Sequence, residues 1–240
     1  MGLGSLELKL LKKCRAVSEE NLKQIKISIQ KYCKDADRDP EDVILIGASK
    51  SQSVDKINVA YEAGLNHFGE NYLQEAENKI ALTNKDITWH FIGAIQTRKA
   101  KKIAELFDWV HTVESIRVAE RLNSARPTDK PPLNVCIQLN IDEEDTKSGI
   151  KKEELENLIT SLSHLENLVV RGLMVIPRPR ETEIEQRKIF EEVTKIYKSL
   201  NQKGMNLDTL SMGMSSDFGP AIKEGATMIR IGTAIFGSRK

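Results

Sequence analysis

The groups best able to do chemistry in this 240-residue chain are one lysine and two small-residue loops far from it in sequence. Lys50 ends the stretch VILIGASK, after which SQSV turns at once to polar, helix-starting residues. A lysine amine sheltered by apolar walls is more readily neutral and can attack an aldehyde as a Schiff-base nucleophile. A surface lysine whose stem covers apolar area while its head reaches water accounts for the same position, so position alone does not decide. The loops are SMGMSSD, Ser211 to Asp217, and RIGTAIFG, Arg230 to Gly237. Exposed backbone N–H groups beside a helix N-terminus attract a dianion without needing a side-chain cation. Gly213 or Gly232 taken alone reads as a packing glycine; the pairing of the two loops, with Ser215 and Thr233 beside the glycines, favours a phosphate. Arg230 lies inside an otherwise apolar run, where a guanidinium needs a partner. An internal salt bridge serves that need as well as a ligand does.

Composition narrows the partners. Lysine and arginine number 36 against 35 acidic residues, a formal charge of +1, which makes no field for nucleic acid or an anionic membrane. The cysteines, Cys14, Cys33 and Cys136, form no CxxC pair and leave an odd thiol, which implies a reducing, cytoplasmic setting. The opening MGLGSLELKLLKKC lacks the order of a secretory signal, and no apolar run approaches the roughly 18 residues of a membrane span. The basic cluster Arg98, Lys99, Lys101 and Lys102 reads as a solvated helix face. His67, His90 and His111 fall on separate strands and read as hydrogen-bonded strand histidines rather than a metal site.

Something must bring these distant residues together. Short β-branched runs alternate with longer helix-periodic segments almost to the last residue, the rhythm of βα units on a parallel sheet. The strands expected are Val43 to Ser49, Asn66 to Glu70, Thr88 to Gly93, Trp109 to Val113, Asn134 to Asn140, Val169 to Ile176, Thr209 to Met214 and Met228 to Phe236. Eight such strands close a (β/α)8 TIM barrel of about this length, although periodicity alone also allows a doubly wound open sheet. Helices are expected near Ser53 to Gly64, Glu70 to Leu82, Thr97 to Phe107, Ser115 to Ser124, Lys151 to Ser163, Glu181 to Gln202 and Pro220 to Glu224. An additional helix, Ser18 to Lys34, precedes the barrel and packs across its bottom or side, behind a loosely ordered extension of residues 1–17. The loops Ala125 to Pro132 and Asp142 to Gly149 are too short to link domains, so one domain is expected over residues 1–240. In such a barrel the strand C-termini share one mouth, which would receive Lys50, Glu70, Asn71, Gly93, Glu114, Asn140, Pro177, the Met214-Ser215 pair and the Gly232-Thr233 region.

At this point seven segments, in order, carry a resemblance: IGASKSQ, AGLNHFGENYLQEA, WHFIGAIQTRKAKKI, LNIDEEDTKSGI, RGLMVIP, LSMGMSSDF and MIRIGTAIFG. From about Ser18 to Arg239 the chain resembles the pyridoxal phosphate homeostasis proteins, a group similar to the N-terminal domain of alanine racemase. The resemblance implies a barrel binding pyridoxal 5′-phosphate (PLP), with Lys50 as the Schiff-base lysine. It also implies that Ser215, Gly232 and Thr233 hold the phosphate, that Arg230 approaches the pyridine nitrogen, and that Asn71 lies near the cofactor, although an Asn opening a helix can serve only as its N-cap. Two positions depart from the family's habit. Arg98 stands where a neutral amide is common, and Gly219 where an acidic residue is common.

The expected function is a noncatalytic PLP carrier or buffer in vitamin B6 homeostasis, a monomer, with PLP-dependent apoenzymes as possible receivers. The resemblance supports this through what the chain lacks: alanine racemase has a second domain that supplies an opposite-face base, and no such domain follows strand eight here. Arg230 would also leave the pyridine nitrogen unprotonated and the ring a weaker carbanion sink. Two alternatives use the same residues: a weak amino-acid racemase with Lys50 as base, and a Schiff-base aldolase acting on a phosphorylated sugar.

Overall fold

The computed structural model describes residues 5–144 and 148–237, with side chains from Glu19 onward. Of the loop Asp142 to Gly149, residues 145–147 lie outside the described residues. Eight parallel strands form a closed barrel: β1 Ile44–Ala48, β2 His67–Glu70, β3 Thr88–Phe91, β4 Trp109–Val113, β5 Leu133–Gln138, β6 Leu168–Met174, β7 Thr209–Ser211 and β8 Met228–Ile231. The pairing of Ile44 with Met228 through Gly47 with Ile231 joins first strand to last and removes the open-sheet alternative. Around it run α1 Ser5–Asp35, α2 Val54–Glu62, α3 Leu73–Leu82, α4 Ala100–Leu106, α5 Ile116–Ala125, α6 Leu155–Leu162, α7 Glu183–Gln202, α8 Phe218–Lys223 and the one-turn α9 Thr233–Phe236.

Local chemistry sets these limits. Ser53 accepts from the Lys56 N–H and starts α2, and Gly64, at φ +84°, lets the chain turn back toward β2. Ser115 caps α5 in the same way, and Thr182 with Glu185 forms a capping box at α7. Helix faces such as Ile57 and Ala60 of α2 bury against the strands, each large apolar side chain contributing roughly 1.5–3 kcal/mol. Phe68, Phe91, Phe107 and Phe190 are fully buried in this outer core between barrel and helices. A much smaller cluster, Ile46, Trp109, Cys136, Met174 and Met228, forms a separate core unit.

Helix α1 begins at Ser5, ahead of the expected Ser18, so the extension is helical from that residue on. It lies along the barrel's side, against α2, α8 and α9, covering the seam where β8 meets β1. Asn21 donates to the Ile235 carbonyl at 3.1 Å, and Arg38, just after the helix, donates to Ile222 O at 2.6 Å. Strands β3, β5, β6 and β7 end two or three residues before their expected ends, and two other limits are corrected. Residues Thr233 to Phe236 are a helical turn rather than the end of β8, because Gly232 breaks the strand and its carbonyl accepts from both Ile235 and Phe236. Helix α8 begins at Phe218, so Pro220 is its third residue, where its missing N–H still falls among amides without an intrahelical acceptor.

Candidate active site

The stagger of the strands builds the site. His90 pairs with Gly69, two residues above His67, and with Trp109, two residues below His111; Ser211 pairs with Met228, two residues below Arg230. Side chains on one face of a strand recur every two residues, so each strand's inward set climbs relative to the last. At the top, the strand C-termini surround a cavity of about 400 Å³. All six residues expected at the site line it: Lys50, Asn71, Ser215, Arg230, Gly232 and Thr233, with Ile92, Ile176 and Met214 as apolar wall.

Lys50 is partly buried, and its neighbours are fastened from behind. Ser49 is fully buried; its hydroxyl donates to Glu70 Oε1 at 2.5 Å and its carbonyl accepts from Lys79 Nζ at 2.8 Å. Ser51, held at φ +61°, donates its N–H to Glu75 Oε2 at 2.8 Å. Lys79 closes the cluster by pairing with Glu70 at 2.8 Å and Glu75 at 3.1 Å. Burial raises the Glu70 pKa above the ordinary carboxylate value, against the lowering effect of Lys79 and Ser49. Glu70 was expected in the mouth; its carboxylate instead serves this cluster beside α3. Nothing in strand alternation distinguishes the two uses, although Glu75 and Lys79 are a legible i,i+4 pair.

Across the mouth, Arg230 is only 5% exposed. It gives NH1 hydrogens to Ser211 O at 2.7 Å and Ser211 Oγ at 2.6 Å, and an NH2 hydrogen to Val175 O at 2.9 Å. A guanidinium has five N–H donors, and two of these have no partner among the described residues. Burial pulls its pKa down to about 10, with Asp217 opposing, which leaves it charged at neutral pH. Below it Ser211 Oγ meets His111 Nδ1 at 2.8 Å, His111 Nε2 meets His90 Nδ1 at 2.9 Å, and His90 Nε2 meets His67 Nδ1 at 3.0 Å. The histidines are therefore hydrogen-bonded, as expected, but to one another. Burial, reinforced by Arg230, holds His111 at about 3; burial also lowers His90 well below its usual value and lowers His67, against Asp108. All three rings are neutral at pH 7.

Other expectations resolve by position. Asn71 is not the cap of α3, whose N-cap is Tyr72, and it faces the cavity; Gly93 is required beside it, since a Cβ there would sit 2.1 Å from Asn71 O. Gly213, at φ +97° and packed on Ala221 and Phe218, is a packing glycine, whereas Gly232 lines the cavity. Glu114 accepts from the Gly149 N–H at 2.9 Å. Arg98 lies outside the mouth: with Lys101, Arg117 and Arg121 it lines a larger outer groove of about 920 Å³. That groove contains none of the expected site residues.

The alanine racemase N-terminal domain family matches residues 46–240. Pyridoxal phosphate homeostasis proteins of Pseudomonas aeruginosa and Haemophilus influenzae are 46% and 44% identical, over 92% of this chain and 95% of each relative. PipY of Synechococcus elongatus, solved with PLP bound, superposes with a TM-score of 0.76 at 38% identity, covering 88% of this chain and all of that one. Alanine racemase from Corynebacterium glutamicum, 14% identical, shares the fold at a TM-score of 0.67 over 92% of this chain and 60% of its own. By the family model and by these relatives above 40% identity, this chain belongs to the alanine racemase N-terminal domain family and, within it, to the pyridoxal phosphate homeostasis proteins.

Proposed function

We propose that this protein binds pyridoxal 5′-phosphate in the barrel mouth, holds it covalently on the Lys50 amine, and keeps it available as a carrier in PLP homeostasis, with PLP-dependent apoenzymes as receivers. One observation carries the reading: a single cavity gathers Lys50, Arg230 and both small-residue loops. The residues fit the group. Ser215 and Ser216 line the cavity, and their backbone N–H groups have no partner among the described residues, which leaves them free to donate to a phosphate. Gly232 leaves room at the rim, where an added Cβ would come within 3.2 Å of Ala48 O. When bound, pyridoxal phosphate supplies an aldehyde that a lysine amine captures and, in enzymes, an electron sink.

Lys50 contributes the nucleophilic amine, and the cluster of Glu70, Glu75 and Lys79 fixes the backbone on both sides of it. With PLP bound, Arg230 would be the residue to meet the ring nitrogen, and a guanidinium does not give up a proton to it under ordinary conditions. Racemisation needs a second base facing Lys50. Among the described residues lining the cavity, Lys50 and Arg230 are the only ionisable ones, with no carboxylate, histidine, tyrosine or cysteine. That lining favours holding over turnover.

The test is to add PLP to the purified protein, record the visible spectrum, reduce with borohydride and map the adduct. A yellow complex fixed at Lys50 and lost in Lys50→Ala is expected; an adduct elsewhere, or none, sinks the reading. Turnover across an amino-acid panel that disappears in Lys50→Ala would favour the weak racemase instead.

A further inference from the structure

Arg230 is a buried cation that makes no ion pair with a carboxylate among the described residues; Asp217 acts on it only through space. A buried charge needs compensation from somewhere. What touches the guanidinium is a pair of carbonyls and one end of the chain Ser211, His111, His90, His67. The direction of this chain follows from its first member. Arg230 can only donate, so Ser211 Oγ is an acceptor there. If His111 also donated to Ser211, the hydroxyl hydrogen would need a third partner, and none exists among the described residues. The hydroxyl therefore donates to His111 Nδ1. His111 Nε2–H then donates to His90 Nδ1, and His90 Nε2–H to His67 Nδ1, since a neutral imidazole has one donor and one acceptor. His67 is left with its own Nε2–H at the barrel floor, where it borders a groove of about 350 Å³ that also holds Lys26 and Glu41.

Every link thus turns its acceptor toward Arg230. We propose that His67, His90, His111 and Ser211 form a one-way hydrogen-bond chain, spanning the barrel interior from floor to mouth, that positions Arg230 and compensates its charge in place of a carboxylate. Aligned dipoles ending on a cation do what the carbonyl end of a helix does for one. Trp109, stacked on His90 at 5.7 Å between ring centroids, keeps the middle ring in plane. These four are positioning residues: none of them lines the mouth cavity, yet Arg230, which does, is held by Ser211 at the head of the chain. The consequence for the held group rests on the PLP reading above; the direction of the chain does not.

Two measurements test it. In 15N-labelled protein without PLP, long-range proton–nitrogen correlations report each ring's tautomer, and Nε2–H is expected at His67, His90 and His111. A proton on Nδ1 of His111 or His90 overturns the chain, whether or not PLP binds at Lys50. In PLP-loaded protein, His90→Phe and Ser211→Ala should speed PLP release about tenfold and shift its visible band, the loss expected for a hydrogen bond to a charged group. His90→Gln, which keeps one donor and one acceptor, should restore both values. A merely structural role would lower the melting temperature in His90→Phe and leave band and release rate unmoved, which overturns the proposal; should a variant not fold, the tautomers of the parent protein decide.

Discussion

Behind Lys50 lies a charge arrangement that should be sensitive to single substitutions. Glu70 is fully buried, and Oε1 accepts from Ser49 and Lys79 while Oε2 has no partner among the described residues. Such a carboxylate is tolerable only while Lys79 neutralises it, because an unpaired buried charge costs far more than the pair itself contributes. Lys79→Met should therefore cost about 3–5 kcal/mol of stability near neutral pH. Adding Glu70→Gln should recover much of that loss, since the remaining amide carries no charge. Urea unfolding midpoints of the parent, the single and the double variant decide the matter, and equal losses in single and double would remove the buried charge as the cause. The same substitutions should loosen the Ser49 to Ser51 backbone and slow capture of an aldehyde by Lys50, because Lys79 donates to Ser49 O and Glu75 accepts from Ser51 N–H.

Among the elements, α1 is the addition to the barrel, and its hold depends on a residue with no side chain. Gly219 in α8 faces the Tyr32 ring so closely that a Cβ would lie 2.5 Å from Cζ, so a larger side chain has no room there while Tyr32 keeps its place. Tyr32 also meets Phe218 edge-on at 5.6 Å. Gly219→Ala should cost about 1–3 kcal/mol by overpacking and open α1 to protease, read by thermal unfolding and by the first cleavage site; an unchanged melting temperature would mean that Tyr32 moves aside freely. How legible each element was follows from its local signals. The strands β1 to β7 and the helices with Ser or Thr caps were visible in the alternation of apolar runs and cap residues. The turn α9 was not, because TAIF is an apolar run that fits strand or helix until Gly232 is seen to break the ladder. The six mouth residues were legible from loop chemistry and the resemblance together. The histidine chain was not, since its contacts depend on the two-residue stagger between neighbouring strands, which no single segment encodes.

For the whole molecule, the polar chain across the barrel interior has a thermodynamic consequence. His67, His90 and His111 are held below their ordinary value of 6.5, chiefly by burial, so the folded state binds fewer protons than the unfolded chain in mildly acidic solution. The sign is then fixed: stability is full above about pH 6.5 and falls as the pH drops toward the folded values, which for His111 is about 3. Each neutral buried ring costs roughly 1–2 kcal/mol per pH unit within that window. Glu70 and Asp217, whose carboxyls are raised by burial, oppose this once the pH nears their own range, so the histidine slope is cleanest just below 6.5. Urea midpoints between about pH 7.5 and about pH 5.5 should fall, and the slope converts directly to protons taken up on unfolding. His90→Gln keeps a donor and an acceptor without a titratable ring, so it should flatten the slope by about half a proton at about pH 6.5, nearing one proton at about pH 5.5, while leaving the fold intact. If that variant loses stability with acid as steeply as the parent, the buried imidazoles are not what makes the barrel acid-sensitive, and the carboxylates facing the helices become the place to look.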